Sequence, residues 1–169
     1  TIERTALSNL LGNSDYAKKV LPFIKGDYFD VREEKIIFEE ISNFVDKYKK
    51  IPTQTSLEIE VGERKDLTET EHNKIVEIIK TLNPEEVDMD WLVDTTEKFC
   101  KDKAIYNAIV DGISIIDGKD KNRTPDSIPS ILTEALAVCF DNAVGHDYLL
   151  DSDSRYEFYH KIEERIPFD

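Results

Sequence analysis

Residues 91–117, WLVDTTEKFCKDKAIYNAIVDGISIID, decide the fold of this chain. The stretch contains no proline and predicts a single helix about twice as long as an average one. Its apolar side chains fall on two stripes: Leu92, Phe99, Tyr106 and Ile113 form the first, and Ile105, Ile109, Gly112 and Ile116 form the second. A surface helix needs one apolar stripe, so a helix that is apolar on two sides must be covered twice.

The next apolar segment, residues 128–140 (IPSILTEALAVCF), is about half as long and can cover only one side of the long helix. The polar residues 118–126 (GKDKNRTPD) between them have the composition of a solvated turn. We therefore predict a helical hairpin whose second side is covered by another copy of the chain. The side chains predicted to form this subunit interface are Ile105, Ile109, Ile113, Ile116, Leu132 and Leu136.

Residues 1–87 predict a bundle of short helices. The first of these is predicted to end at Gly12-Asn13 with a left-handed residue. Apolar side chains recur at steps of three and four from Ile37 to Tyr48, which indicates a longer helix. No segment alternates convincingly between apolar and polar residues, so we predict an all-α fold. Three pairs have the spacing of a capping box: Asp30 with Glu33, Thr55 with Glu58, and Thr68 with Glu71.

The chain divides into three predicted parts: a bundle over residues 1–87, an oligomerisation hairpin over 88–143, and a linker over 144–169. The linker contains an amphipathic helix at residues 153–165. An isolated helix of this length is marginal in water, so it needs a surface on which to dock. We expect that surface to belong to another molecule or domain.

The net charge of -14 is the strongest compositional signal. Binding to duplex DNA requires clustered Lys and Arg, so we do not expect this chain by itself to bind DNA. Its acidity disfavours anionic membranes, and no apolar run reaches the roughly 20 residues of a membrane span. Cys100 and Cys139 are predicted to be buried free thiols, because two cysteines are a poor framework for metal or secretion.

Three kinds of chemical site were weighed. Gly112 and Gly118-Lys119-Asp120 approach a phosphate-binding loop, but the glycine spacing is one residue too long and no hydroxyl follows. The pairs Glu69/His72 and Glu157/His160 have the Glu-x-x-His spacing of di-iron bundles, although a chain this rich in glutamate reaches that spacing by chance. No nucleophile elbow or paired-cysteine zinc pattern occurs. We assign no catalytic residue, no metal ligand and no cofactor to these residues.

Residues 143–151 (AVGHDYLLD) and the following RYEFYHKIEERIPFD resemble the end of the N-terminal region of T-even bacteriophage replicative helicases, which belong with the hexameric helicases of the DnaB type. The resemblance extends upstream through WLVDTTEKFCKDKAIYNAI and IPSILTEALAVCFD into the bundle, and covers nearly the whole chain. Its most specific parts are GHD and IPF.

The resemblance implies a non-catalytic, all-α fragment: an N-terminal bundle of short helices, a long helical hairpin and a C-terminal linker helix. In this family such a fragment forms the collar of a hexameric ring, in which hairpins of neighbouring subunits pair. The linker helix docks on the adjacent motor, here through Tyr156, Phe158, Tyr159 and Ile162. The RecA-like motor, with its ATP and magnesium, would follow after Ile166-Pro167-Phe168.

The implied parent is an ATP-dependent 5′-to-3′ DNA helicase in the cytoplasm of a phage-infected bacterium. Its partners would be other copies of itself in a dimer or hexameric ring, a primase, a helicase loader, and single-stranded DNA held only by the assembled ring. Two other classes remain open. A DNA mimic would compete with duplex DNA for a basic protein, and a di-iron enzyme would purify with metal.

Overall fold

The computed structural model describes residues 1–140, and within them all regular structure is helical. The predicted all-α class is confirmed. The linker side chains Tyr156, Phe158, Tyr159 and Ile162 lie outside the described residues. Two 3-10 turns, Gly26–Tyr28 and Pro125–Ser127, accompany the α-helices. The helices are α1 (Ile2–Gly12), α2 (Ser14–Val20), α3 (Arg32–Tyr48), α4 (Gln54–Gly62), α5 (Glu69–Thr81), α6 (Met89–Ile116) and α7 (Ile128–Leu136).

The junction between α1 and α2 differs from its prediction. Asn13 has extended backbone (φ -126°) rather than left-handed backbone, and it ends α1 while it begins α2. Its Oδ1 accepts a hydrogen bond of 3.0 Å from the backbone N–H of Tyr16. Because Asn13 caps the next helix directly, the chain needs no left-handed turn here.

One of the three predicted capping boxes is confirmed. The backbone N–H of Thr68 donates to Glu71 Oε2 at 2.9 Å, and Thr68 Oγ1 accepts from the N–H of Glu71. The box predicted at Thr55 is wrong by two residues, because Thr53 begins α4 with Ser56 as its partner. The box predicted at Asp30 is absent, since the Asp30 carboxylate instead accepts from Lys103 of α6.

The first half of α6 lies in the core of the bundle. Leu92 is fully buried, and the ring of Phe99 meets the rings of Tyr28 and Phe29 edge-on. The hydroxyls of Tyr16 and Thr96 share a buried hydrogen bond of 2.7 Å. The long helix is therefore anchored at one end, whereas the boundary predicted at residue 87 stays a prediction.

The protein is expected to lose stability in alkali, because two tyrosine hydroxyls and one cysteine thiol are buried in their protonated form. Burial raises the pKa of Tyr28 to about 12 from 10.0 and that of Cys100 to about 12 from 9.0, and it raises the pKa of Tyr16 further. The native state therefore holds these protons more tightly than the unfolded chain does. Stability is fully present below about pH 9 and is lost as the pH rises toward about 12. Urea unfolding at a series of pH values measures this, and a flat free energy up to about pH 11 would contradict it.

Candidate subunit interface

Helix α6 extends beyond the bundle. Its 28 residues span roughly 42 Å. Near its middle, Lys103 pairs with Asp30, and Asn107 Nδ2 donates to the backbone oxygen of Asp27 at 3.0 Å. Helix α6 also packs against α7 and against the 3-10 turn that precedes α7. The second half of α6 and α7 therefore form the predicted hairpin, with the helix Ile128–Leu136 as the returning arm.

The inner side of the hairpin is built from small residues. Ala104, Ala108 and Gly112 recur at four-residue intervals on α6 and are all buried, and Gly112 faces Ile128 of α7. Ala135 is the buried residue of α7. Small side chains at this spacing let two helices approach closely, so one side of α6 is fully covered within the chain.

The returning arm is tied back to the bundle by its last described residue. The ring of Phe140 is buried and stacks on the ring of Phe23, with ring centroids 4.5 Å apart. The hairpin is thus fixed at its base on both arms. Its far end and its outer side project from the bundle.

The outer side of the hairpin is apolar and exposed. At seven-residue steps along α6, Leu92 and Phe99 are buried in the bundle, but Tyr106 and Ile113 are 62% and 55% exposed. The same apolar stripe therefore continues beyond the edge of the bundle with nothing from residues 1–140 to cover it. The large apolar side chains exposed on this outer face are Tyr106, Ile109, Val110, Ile113, Ile116 and Leu136.

The six predicted interface residues fall into two groups. Ile109, Ile113, Ile116 and Leu136 are exposed on the outer face, with Ile116 70% and Leu136 69% exposed. Ile105 and Leu132 are partly buried and pack against the core of the chain itself. Their role in binding a second copy stays a prediction, because the structure contains a single chain.

Two members of the outer face, Tyr106 and Val110, were not among the predicted interface residues. Tyr106 already belonged to the first apolar stripe of the sequence, at seven residues from Phe99 and from Ile113. Val110 lies one turn beyond Tyr106, so helical spacing alone could have identified it. The exposed apolar surface of α6 is therefore wider than the predicted set.

At the tip of the hairpin, charged groups close the loop beside the buried Ile115 of α6. Arg123 donates to Asp120 at 2.7 Å and lies 3.4 Å from Asp111 of α6, and Asp120 holds the pKa of Arg123 above its ordinary value. The backbone N–H of Asn122 also donates to Asp120. These exposed pairs contribute little stability individually, but they close the loop without using the outer apolar face.

The weighed chemical sites receive no support in residues 1–140. No three His, Cys, Asp or Glu side chains converge there in a way that could hold a metal ion. Glu157 and His160, the second half of the candidate di-iron pattern, lie outside the described residues. Cys100 is buried as predicted, whereas Cys139 is only partly buried. Among the described helices, none is long and apolar enough to cross a membrane.

Replacing Gly112 with alanine is expected to stabilise the protein by about 0.5 to 1 kcal/mol, because glycine inside a helix costs that much relative to alanine. A methyl group there would lie 3.7 Å from Ile128 Cγ2, which is an ordinary van der Waals distance. Gly112 belongs to the row of small residues that faces α7, but α7 leaves room for the methyl group. Urea unfolding measures the change, and a loss of stability would show that the hairpin packs more tightly than this.

Residues 1–140 thus form an all-helical domain with a projecting hairpin whose outer side is apolar. No protein-family profile matches the chain. The chain is 32% identical over 170 residues to the DnaB-like replicative helicase of Enterobacteria phage T4, a match that covers 96% of this chain. The predicted resemblance is confirmed: the chain is similar to a DnaB-like replicative helicase of a bacteriophage. It spans 36% of the length of that relative, a share that fits an N-terminal domain.

Proposed function

We propose that this chain is the collar and assembly domain of a phage replicative helicase, and that hairpins of neighbouring subunits pair through their outer faces. The observation that carries the proposal is the uncovered apolar stripe on α6, which continues the buried stripe of Leu92 and Phe99. Apolar residues at seven-residue steps are the pattern by which helices of different chains pack side by side. A second hairpin offers the same pattern in return.

Pairing of two hairpins explains why the second half of α6 is apolar on two sides. Covering a fully exposed isoleucine stabilises an assembly by about 1.5 to 3 kcal/mol. In a two-fold interface each residue contributes twice, once from each copy. The side chains at least half exposed on each hairpin that this pairing would cover are Ile109, Ile113, Ile116 and Leu136. Their burial from both copies is worth roughly 7 to 15 kcal/mol before the entropy of association, about 4 to 15 kcal/mol, is subtracted.

The parent chain in this proposal is an ATP-dependent DNA helicase that moves 5′ to 3′. A motor domain outside this chain would hold ATP and magnesium, and single-stranded DNA would be bound only by the assembled ring. Pairs of hairpins would join into a hexameric ring, and the collar would also dock a primase or a loader. The relationship to a replicative helicase supports this part of the proposal.

Cysteine cross-linking tests the pairing. In a two-fold interface, residues near the axis meet their own equivalents, and two cysteines bridge when their Cα atoms are within about 7 Å. We would introduce Ile109→Cys, Ile113→Cys or Ile116→Cys into a chain in which Cys139 is replaced by serine. At least one of the three is expected to form a disulfide-linked dimer under mild oxidation.

The matched control is Ile59→Cys in the same background. Ile59 lies on α4, away from the hairpin, and is 61% exposed, much like Ile113. Its cross-linking measures random collisions between chains. If none of the three hairpin variants cross-links faster than Ile59→Cys, the outer face is not a symmetric interface and the proposal fails.

A further inference from the structure

A basic depression on the bundle stands out in a chain with 36 acidic and 22 basic residues. It lies where the ends of α2 and α3 meet, and Lys18, Lys49 and Lys50 surround it. Its floor is aliphatic, because Ala17 and Val45 are buried there and Ile51 is half-buried. Among residues 1–140, no carboxylate lines the depression.

The three lysines have no counter-ion in the part of the chain that the structure describes. The three arginines of the bundle do pair: Arg4 with Glu34, Arg32 with Glu71, and Arg64 with Glu40 and Asp66. Within residues 1–140, Lys18, Lys49 and Lys50 share the lack of an ion pair with other surface lysines, and what sets them apart is that they surround one depression. Like charges around one depression repel each other, so grouping three lysines costs free energy. The grouping is unexpected on a surface where carboxylates outnumber the basic groups and could have separated the lysines.

The backbone of Lys49 adds an independent observation. Lys49 follows the last residue of α3 with φ 56° and ψ 30°, and is the non-glycine residue with left-handed backbone among the described residues. This position after a helix usually holds glycine, which adopts the conformation without steric cost. A lysine occupies this position although glycine would adopt the conformation more readily, so its side chain is held beside the depression at a steric cost.

We propose that this basic depression is a docking site for an acidic peptide segment of a partner protein. An aliphatic side chain of the peptide enters the depression, and flanking Asp or Glu carboxylates meet the ammonium groups of Lys18, Lys49 and Lys50. The proposal rests on the docking role proposed above and gives it a location and a partner chemistry. It is independent of hairpin pairing, since the depression lies on α2 and α3.

The size and lining of the depression decide between classes of ligand. Its volume of about 50 Å³ admits the tip of one side chain and is far below the roughly 300 Å³ of a small-molecule site. Nucleic-acid bases stack on aromatic rings, whereas this floor is aliphatic. The net charge of -14 also repels a polyanion more strongly than it repels a short peptide.

The test is an NMR titration of the isotope-labelled 169-residue chain with the peptide acetyl-Glu-Asp-Leu-Asp-Glu-amide. Such a short peptide should bind with a Kd on the order of 1 mM and shift the amide signals of Ala17, Val45 and Ile51 in a saturable manner. Comparison probes are the peptide with lysine at each acidic position, the peptide with glycine in place of leucine, and an eight-residue oligothymidylate. Each should bind at least about tenfold more weakly.

Three variants separate binding from folding. Lys18→Glu is expected to weaken the acidic peptide about tenfold. Lys49→Gly should weaken it severalfold while the thermal midpoint stays level or rises, because glycine suits the left-handed backbone. Lys80→Glu is the matched control, since Lys80 is also an exposed lysine in the last turn of a helix, and it should leave binding unchanged.

The proposal is overturned if the acidic peptide causes no saturable shift at the depression, or if the lysine peptide binds equally well. It is also overturned if the oligothymidylate binds there in place of the peptide, or if Lys80→Glu weakens binding as much as Lys18→Glu does. If the chain binds the peptide but is a monomer, the docking site is supported and the hairpin pairing is contradicted. If the chain oligomerises but does not bind the peptide, the hairpin pairing is supported and the docking site is contradicted.

Discussion

Replacing Ile113 with aspartate is expected to lower the mass of the chain in solution from an oligomer to a monomer of 19.5 kDa. Ile113 lies in the middle of the outer face of the hairpin and is 55% exposed in the single chain. In a two-fold interface the substitution removes two buried isoleucines and buries two unpaired carboxylates. Only the exposed half of each side chain is covered on association, so the lost apolar burial alone is worth roughly 1.5 to 3 kcal/mol for the pair, which raises the dissociation constant at least about tenfold.

The control for this substitution is Ile59→Asp. Ile59 is 61% exposed on α4, so the two variants make the same chemical change at similarly exposed helical positions. Neither variant should unfold the chain, because both side chains already face water in the monomer. Light scattering should show a smaller mass only for Ile113→Asp. Equal masses for Ile113→Asp and the unchanged chain would show that the outer face of the hairpin is not the interface.

Replacing Gly12 with alanine is expected to cost about 1 to 3 kcal/mol of stability, because a methyl group there would overlap the ring of Pro84. A Cβ atom at Gly12 would lie 1.9 Å from Cγ and 2.6 Å from Cβ of Pro84. The proline ring is rigid and cannot turn aside, so α1 or the segment before α6 must shift. Urea unfolding measures the loss, and Gly112→Ala, where the nearest such atom is 3.7 Å away, is the matched control.

The double variant Gly12→Ala with Pro84→Gly shows whether the clash with the ring is the cause. Removing the ring takes away both close atoms, so the pair should be clearly less destabilised than the sum of its single changes. A coupling near zero would mean that Gly12 is needed for another reason. A loss below about 0.5 kcal/mol for Gly12→Ala alone would contradict the close approach of Pro84 to α1.

The long helix and its hairpin could be predicted because local patterns determine them. An uninterrupted apolar periodicity predicted α6, and Thr68 with Glu71 predicted the start of α5, since a capping box uses only neighbouring residues. Asp30 does not cap α3, because its carboxylate accepts a hydrogen bond from Lys103, which lies 73 residues away. Spacing along the chain contains no information on such long-range partners.

The candidate interface could be predicted only in part for a related reason. Periodicity shows that α6 is apolar on two sides, but not which side its own chain covers. The structure shows that Ile105 faces partly inward while Tyr106, the next residue, is exposed. The basic depression could not be predicted either, because Lys18 lies 31 residues before Lys49 and only the packing of α2 against the end of α3 brings them together.

The most direct test of the central claim is the mass of the unchanged 169-residue chain by sedimentation, over a range of concentrations around 10 to 100 µM, where a specific dimer interface is populated. Pairing of the hairpins predicts at least twice 19.5 kDa, falling toward 19.5 kDa only on dilution. A mass of 19.5 kDa at every concentration would contradict it, because the outer face of α6 would then remain in water.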